Sequence, residues 1–460
     1  MGQRVSPHRT HATTLVRAWL QAGRRPGRTT SAAGGVALAG RSGRSLLLVM
    51  ALVLAATLGT PPDLARGAPD QQPAPGTFLD TFTGRPPAPT PWRGSGWDVT
   101  VHSRNREAWD TLEPMAAHHG PDCAAPPAVH PTSAYDDAVY QCNDHVMTSI
   151  NASGYGVIYL TPNQQLDFKD GEAVLRFDLS TLRTSMRDWV DIWVTPYDEH
   201  LQLPLESWLP DLTGEPRRAV HIRLDTFNNE SVFKGTIYRD TVEESVKSQS
   251  LTGYEKVLTP SAVRRDPFEL RISRTSIKFG MPDYNLWWID SPIADLGWDR
   301  AIVQFGHHSY TPTKDCGRVP CAANTWHWDS VSIAPAVPFT IVPGDARWLN
   351  DERGNAVQFA APAPPESHLR FVAIGTAMEV SFDGGASWQQ AQPQPIRQGR
   401  DVLNTFVSYW TPMPTGATSV VVRGGNWLVG AWQARDFAIW SLTPPAATNA
   451  AAPAPDAPEE

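Results

Sequence analysis

Two indole rings and a carboxylate occupy alternate positions in one short segment of this chain. Trp189, Asp191 and Trp193 point to the same side if the segment is extended, because successive side chains of a strand face opposite ways. A flat apolar ring beside a hydrogen-bonding carboxylate suits the faces and hydroxyls of a sugar. The same row is also typical of a sandwich interior. The chain has 18 Trp against 15 Phe and 10 Tyr, so tryptophan is its commonest aromatic residue. A sugar-binding role and a core-packing role for this row both stay open.

A second row with the same period carries charge. His221, Arg223 and Asp225 alternate with apolar residues, so they share one face of a strand. This pattern indicates either an exposed polar face with an Arg–Asp neighbour pair or the polar wall of a glycan groove.

A third candidate pair lies near residue 327. Trp326 and Trp328 share a face, opposite His327 and Asp329. Either the two rings pack in a core or they stack on a ligand.

The elements that must position these residues are short alternating runs separated by Gly, Pro, Asn or Asp, which predict an all-β sandwich or barrel. The charged stretch 241–250 is predicted to be a helical excursion or a long loop. The predicted strands are 173–179, 190–195, 220–227, 268–273, 302–306, 328–333, 369–374, 378–382, 404–409, 419–423 and 437–442.

The N-terminal 59 residues have the parts of a secretory signal. Residues 1–44 hold eight Arg and no acid, and an apolar run follows at 46–58. We expect a secreted protein, either free or tethered to the cell surface, with the segment cleaved or retained as an anchor. Its removal takes the formal charge from −8 to −16, which argues against a nucleic-acid partner.

The four cysteines agree with export. The simplest of the three possible connectivities pairs Cys123 with Cys142 and Cys316 with Cys321. A zinc site is the alternative, but neither pair has CxxC spacing.

Composition divides the whole chain into five predicted segments. They are an export segment (1–59), a Pro/Ala/Gly-rich linker (60–76), a first β-domain (77–335), a smaller β-sandwich (336–442) and a disordered tail (443–460).

The ends of the first domain resemble known sequences. Phe78-Leu79-Asp80-Thr81-Phe82-Thr83-Gly84, then Trp97-Asp98-Val99, and the closing Trp326–Ile333 are similar to strands of concanavalin A-like jelly rolls. The resemblance implies a jelly-roll sandwich over about 78–335, in a superfamily of lectins, laminin-G-like modules and laminarinase-type glycoside hydrolases.

One departure from that superfamily bears on activity. Laminarinase-type hydrolases carry a Glu-x-Asp-x-(x)-Glu row with two catalytic glutamates, and retaining chemistry needs two carboxylates. The nearest row here has Trp189 and Trp193 in the glutamate positions. The segment 220–229 resembles a legume-lectin strand ending in Asp-Thr-Phe, with Arg223 where those lectins have a metal-binding Glu.

Two smaller features accompany these rows. Asp80 and Asp329 are candidate ligands of a structural calcium, as in similar jelly rolls, and no other cofactor is expected. The segment Ser381–Trp388 matches an Asp-box, which we interpret as a hairpin turn without catalytic meaning.

The leading hypothesis is a carbohydrate-binding protein without catalysis, its partner a polysaccharide or glycan. The first alternative is a divergent glycoside hydrolase or lyase whose acid and base come from Asp191, Asp225, Glu230 or Glu269. The second is a surface scaffold or adhesin without a small ligand, in which the tryptophans are core.

Overall fold

The structure is a computed structural model. Several predictions fall outside the residues that it describes: the export segment, the linker before Gly76, Cys123, Cys316 and Cys321, Glu230, and the tail after residue 444. The described residues are 76–83, 90–92, 96–102, 138–142, 144–150, 155–183, 188–200, 218–225, 232–239, 242–250, 265–310, 324–348, 355–374, 377–393, 406–424 and 434–444.

Strands dominate the described residues. The first two sheets are built from β1 (Phe78–Asp80), β2 (Thr90–Pro91), β3 (Trp97–His102), β4 (Ala138–Gln141), β5 (Val146–Ile150), β6 (Tyr155–Pro162), β7 (Gln164–Asp167), β8 (Ala173–Arg183), β9 (Asp188–Thr195), β10 (Arg218–Asp225), β11 (Val232–Arg239), β12 (Val242–Ser250), β13 (Asp266–Ile272), β14 (Ser276–Met281), β15 (Leu286–Pro292), β16 (Arg300–Tyr310), β17 (Asn324–Ala334) and β18 (Ala336–Pro338). A short helix α1 (Tyr197–His200) and a 3₁₀ turn (Pro282–Tyr284) interrupt them.

These strands form two antiparallel sheets in which sequence neighbours are interleaved. The back sheet has the order β15-β14-β13-β8-β17-β5-β4-β2, with β1 beside β17. The front sheet has the order β12-β11-β10-β9-β16-β6-β3. Strand β7 pairs with the first residues of β16, and β18 pairs with β7.

One apolar core joins the two sheets. The alternating pattern drives this packing, because each strand directs every second side chain inward. Trp328 on the back sheet lies 5.5 Å, between ring centroids, from Phe305 on the front sheet. The predicted all-β jelly-roll sandwich is confirmed.

The remaining strands form a third, C-terminal sheet with its own core. Its order is β23-β22-β26-β20-β19-β27-β21-β25-β24. The strands are β19 (Thr340–Trp348), β20 (Asn355–Phe359), β21 (Ser367–Ile374), β22 (Met378–Ser381), β23 (Gln389–Gln390), β24 (Gln392–Pro393), β25 (Phe406–Met413), β26 (Ser419–Gly424) and β27 (Arg435–Ser441).

Strand β19 changes partner at Gly344. Residues 340–343 pair with β27 and residues 344–348 with β20. A Cβ at Gly344 would lie 2.7 Å from side-chain atoms of Phe359 and Val357, so a glycine is required where this strand packs so closely.

The prediction for 241–250 is wrong. Residues 242–250 form the edge strand β12, paired with β11. Charged residues are common on edge strands because they discourage further strand pairing. An edge strand can therefore have the same composition as a loop.

The predicted domain limits stay predictions, since all described residues belong to one compact unit, Asp70–Glu460. Within the described part of the chain, no helix has the length and apolar character needed to cross a membrane.

Candidate functional site

The candidate site lies on the face of the front sheet that points away from the shared core. Strand β9 directs Val190, Ile192 and Val194 into that core. Trp189, Asp191 and Trp193 therefore occupy the opposite face.

Strand register places the second polar row beside the first. His221 is the cross-strand partner of Trp193, and Arg223 is the partner of Asp191. On the other side of β9, strand β16 places His308 opposite Trp189 and Gly306 opposite Asp191. Six of these residues form what we call the Asp191 cluster: Trp189, Asp191, Trp193, His221, Arg223 and His308.

Asp191 is the centre of this cluster. Its Oδ2 atom lies 3.2 Å from Nε2 of His221, within hydrogen-bond distance. Nε2 of His308 lies 3.0 Å from the same oxygen as an ion-pair contact without hydrogen-bond alignment. The carboxylate is 2% exposed and the two histidines 5% and 1%, so the contacts form in a medium of low polarity.

The histidines determine the protonation of Asp191. Burial by itself favours the neutral acid, but the charge of His308 and the hydrogen bond with His221 outweigh it and hold the pKa of Asp191 well below its ordinary value. Burial also lowers the pKa of His221, against the opposing effect of Asp191. Near pH 7 the site therefore contains an ionised Asp191 and a neutral His221.

Each tryptophan of the cluster stacks on a histidine. The rings of Trp193 and His221 are nearly parallel, with centroids 3.8 Å apart, and those of Trp189 and His308 are 4.9 Å apart. The guanidinium carbon of Arg223 lies 4.4 Å from the Trp189 ring centroid. One face of each indole is thus occupied by a histidine ring. The sequence hypothesis had a sugar stacking on these indoles.

Gly306 makes room for the carboxylate. A Cβ at this position would lie 1.9 Å from Oδ1 of Asp191 and 2.9 Å from Nε2 of His308. Sequence reasoning missed both Gly306 and His308. The available signal was a glycine inside an apolar strand, which often marks close approach by another group.

Trp326 and Trp328 require a correction. They are 0% and 2% exposed and belong to the core shared by the two sheets. Their role is packing, since the alternation that gave them one face directs that face inward. A ligand-stacking role is not supported.

Of the other candidate acids, the structure describes the side chain of Glu269 alone, and it lies away from Asp191. Glu269 is fully buried on the back sheet, where Arg176 and Arg271 donate to it. Asp225 is the register partner of Trp189 at the end of β10, but its side chain lies outside the described part of the chain, as does Glu230.

The two predicted calcium ligands are engaged by protein donors. Asp80 accepts hydrogen bonds from the Phe82 amide at 2.8 Å and from Nε1 of Trp97 at 2.9 Å. Asp329 pairs with Nε of Arg265 at 3.0 Å. Among the described residues, no group of three or more His, Cys, Asp or Glu side chains has an arrangement that could hold a metal ion. Calcium binding by this pair stays a prediction.

The Asp-box segment forms a hydrogen-bonded turn. Asp383 accepts from the backbone amide and the hydroxyl of Ser387, and Nε1 of Trp388 donates to the Gly385 carbonyl at 3.1 Å. These contacts all lie within the hairpin.

Several buried polar atoms of the Asp191 cluster have no hydrogen-bond partner among the described residues. They include Oδ1 of Asp191, Nδ1 of His308 and Nε1 of Trp189. Each buried polar group left unpaired costs about 1–3 kcal/mol, and such groups usually have an explanation in bound water or ligand. Together they offer one charged acceptor, one indole donor and one imidazole nitrogen on the same face.

Comparisons with known proteins found likenesses among solved structures, at low sequence identity. No family model matches the chain, and no curated protein matches its sequence. Among solved structures, a lectin from Bauhinia forficata in complex with GalNAc is 12% identical and covers 44% of this chain and 90% of its own, with a TM-score of 0.31.

Two further structures give similar values. A glycoside hydrolase family protein from Mycobacterium thermorestibile is 10% identical over 55% of this chain and 99% of its own, with a TM-score of 0.33. The Emp47p carbohydrate recognition domain is 8% identical over 56% and 94%, with a TM-score of 0.30. These are the kinds of protein that the sequence motifs resemble. Because the TM-scores are low, the fold assignment rests on strand order and the shared core.

Proposed function

We propose that the front sheet binds a carbohydrate at the Asp191 cluster, without cleaving it. The observation that carries this proposal is the set of unpartnered polar atoms on Asp191, His308 and Trp189. A sugar hydroxyl both donates and accepts, so adjacent hydroxyls can satisfy a carboxylate, an imidazole and an indole N–H together.

The ionised state of Asp191 strengthens this interaction. Hydrogen bonds to charged groups contribute about 1.5–3 kcal/mol, roughly twice the value for neutral pairs. Both histidines contact Oδ2, which leaves Oδ1 as the acceptor for a hydroxyl.

Burial determines how a ligand can reach the cluster. Trp189, Asp191 and Trp193 are all at most 4% exposed. Arg223 on β10 is half-exposed, and its register partner Lys234 on β11 is exposed. They mark the side of the face from which a sugar would approach.

Equilibrium binding of the full chain to a panel of neutral and acidic polysaccharides tests the proposal. We expect binding by wild type and a loss of at least about tenfold in Asp191→Asn, from one charged hydrogen bond. Asp290→Asn is the matched control, because Asp290 is an exposed back-sheet carboxylate paired with Lys278. No binding to any polymer would support the scaffold interpretation instead, and equal binding by both variants would refute the Asp191 cluster as the binding site.

A second candidate, cleavage of the glycan by proton transfer, is favoured by the Asp191–His221 pair. A carboxylate that orients a neutral histidine is a common general-base arrangement, and His221 uses Nε2 for this contact. The same binding reactions should be assayed for new reducing ends and for unsaturated sugar absorbance. Release of either product, lost in His221→Gln, would make this protein an enzyme.

Export and disulfide pairing belong to the same proposal. The basic and apolar pattern of residues 1–59 supports secretion, and the buried position of Cys142 is compatible with a disulfide. Sequencing the N-terminus of protein recovered from outside the cell, and thiol counting without reductant, test the two points. An intact N-terminus found only inside cells, or four free thiols, would refute them.

A further inference from the structure

A polar cavity lies where the C-terminal sheet packs on the front sheet. The front sheet contributes Asp98, Tyr159 and Gln304 to its wall, and the C-terminal sheet contributes Arg370 and Trp410. The space admits about one water or one polar group of similar size. The wall is on the same side of the front sheet as the Asp191 cluster.

Arg370 is the charged group of this cavity and is 2% exposed. Its Nη2 atom donates to Oδ1 of Asp98, and Nε1 of Trp440 donates to Oδ2 of the same carboxylate at 2.7 Å. Asp98 is therefore fully engaged by two donors from the C-terminal sheet. The ion pair crosses the interface between the two sheets.

Three donors in the cavity wall remain unused. Nε and Nη1 of Arg370 and Nε1 of Trp410 are buried without a hydrogen-bond partner in the described part of the chain. Trp410 is 6% exposed, and its ring is held edge-on against Trp440 with centroids 5.3 Å apart. A fixed guanidinium edge and an indole N–H thus line one small space.

The chemistry of these donors selects the group that would fill the cavity. All three are N–H groups, so the complementary ligand group brings acceptors and no proton of its own. One oxygen of a carboxylate meets this condition and fits a space that admits about one polar group of the size of a water.

The cavity adjoins the proposed carbohydrate site. Tyr159 lines the cavity, and its ring centroid lies 5.5 Å from that of His308. Gln304, also in the wall, is the register partner of Trp193. Strands β6 and β9 are separated by β16, a span of about 10 Å, so one oligosaccharide can contact both places.

We propose that this cavity is a carboxylate subsite, and that the carbohydrate recognised by the front sheet contains a uronic acid. The inference rests on the proposed function and names its substrate class. The C-terminal sheet then supplies specificity, because Arg370 and Trp410 both belong to it.

The test measures affinity of the full chain for polygalacturonate, alginate and hyaluronan, each beside its carboxyl-reduced neutral derivative. We expect at least one acidic polymer to bind more tightly than its reduced form by about tenfold or more. Trp410→Phe keeps an aromatic side chain, although a smaller one, and removes one donor. The folded variant should bind the acidic polymer about fivefold more weakly and bind the reduced polymer as wild type does. Trp388→Phe, in the Asp-box hairpin, is the matched control.

A double variant removes the charge without leaving a lone buried ion. In Asp98→Leu/Arg370→Leu both partners become apolar, which buried ion pairs often tolerate. The folded double variant should lose the preference for the acidic polymer while it keeps binding to the reduced one.

The outcomes separate this inference from the proposed function. Equal binding of acidic and reduced polymers, together with wild-type affinities in Trp410→Phe, would overturn the subsite and show that water alone fills the cavity. Absence of binding to any polymer, acidic or reduced, would overturn the proposed function and the subsite with it.

Discussion

Substitution of Gly306 by alanine tests whether the Asp191 cluster is held as described. The new Cβ would lie 1.9 Å from Oδ1 of Asp191, whereas real Cβ atoms essentially never approach within 3.0 Å, so the carboxylate must retreat by about 1 Å. His308 is also too close, at 2.9 Å from the Cβ. Displacement of the carboxylate breaks its 3.2 and 3.0 Å contacts with the two histidines.

The magnitude follows from the burial of the charge. A buried carboxylate that loses its partners costs about 3–5 kcal/mol. We expect Gly306→Ala to lower the free energy of unfolding by this amount in urea titrations followed by circular dichroism. Gly235→Ala is the matched control, because its Cβ would meet the flexible end of Ile289 at 2.5 Å, and overpacking of that kind costs about 1–2 kcal/mol.

A double-mutant cycle isolates the carboxylate from other effects. In an Asp191→Ala background the atom that clashes with the new Cβ is absent, so Gly306→Ala should cost much less than in wild type. An equal cost in both backgrounds, or stability of Gly306→Ala matching that of Gly235→Ala, would refute the proposed packing.

The remaining predictions concern the core, acid sensitivity and the Asp-box. Trp328→Ala should cost about 3–5 kcal/mol of unfolding free energy because it empties core volume, and glycan binding by the folded fraction should not change; reduced affinity with unchanged stability would restore a ligand role. Burial lowers the pKa of His200 to about 3. Below about pH 6.5, His200 therefore binds a proton in the unfolded chain but stays neutral in the folded protein. The free energy of unfolding should fall by about 2 kcal/mol between pH 7 and pH 5. His200→Gln should reduce that pH slope, and an unchanged slope would contradict the assignment. Asp383→Ala should accelerate amide exchange across 381–388 without altering glycan affinity, and a change in affinity would give the Asp-box a functional role.

Local alternation predicted much of the front sheet. The period of two places Trp189, Asp191 and Trp193 on one face, and it needs no knowledge of other strands. The same reasoning is ambiguous for Trp326 and Trp328, because in a sandwich either face of a strand can be the inner one.

Long-range pairing carries the information that the sequence did not reveal. Gly306 and His308 reach Asp191 through the pairing of β16 with β9, across more than 100 residues of chain. The Asp98–Arg370 ion pair joins residues 272 positions apart. Contacts of this kind depend on how strands are ordered in sheets, which alternation within a single strand does not specify.

Nuclear magnetic resonance of the histidine rings tests the central claim most directly. An oligosaccharide of the tightest-binding polymer would be titrated into the full chain while the imidazole signals of His221 and His308 are followed, with assignments from His→Gln variants. Carbohydrate binding at the Asp191 cluster predicts that both signals shift and saturate at the measured affinity. Saturable binding that leaves both signals unmoved would place the sugar elsewhere and contradict this account.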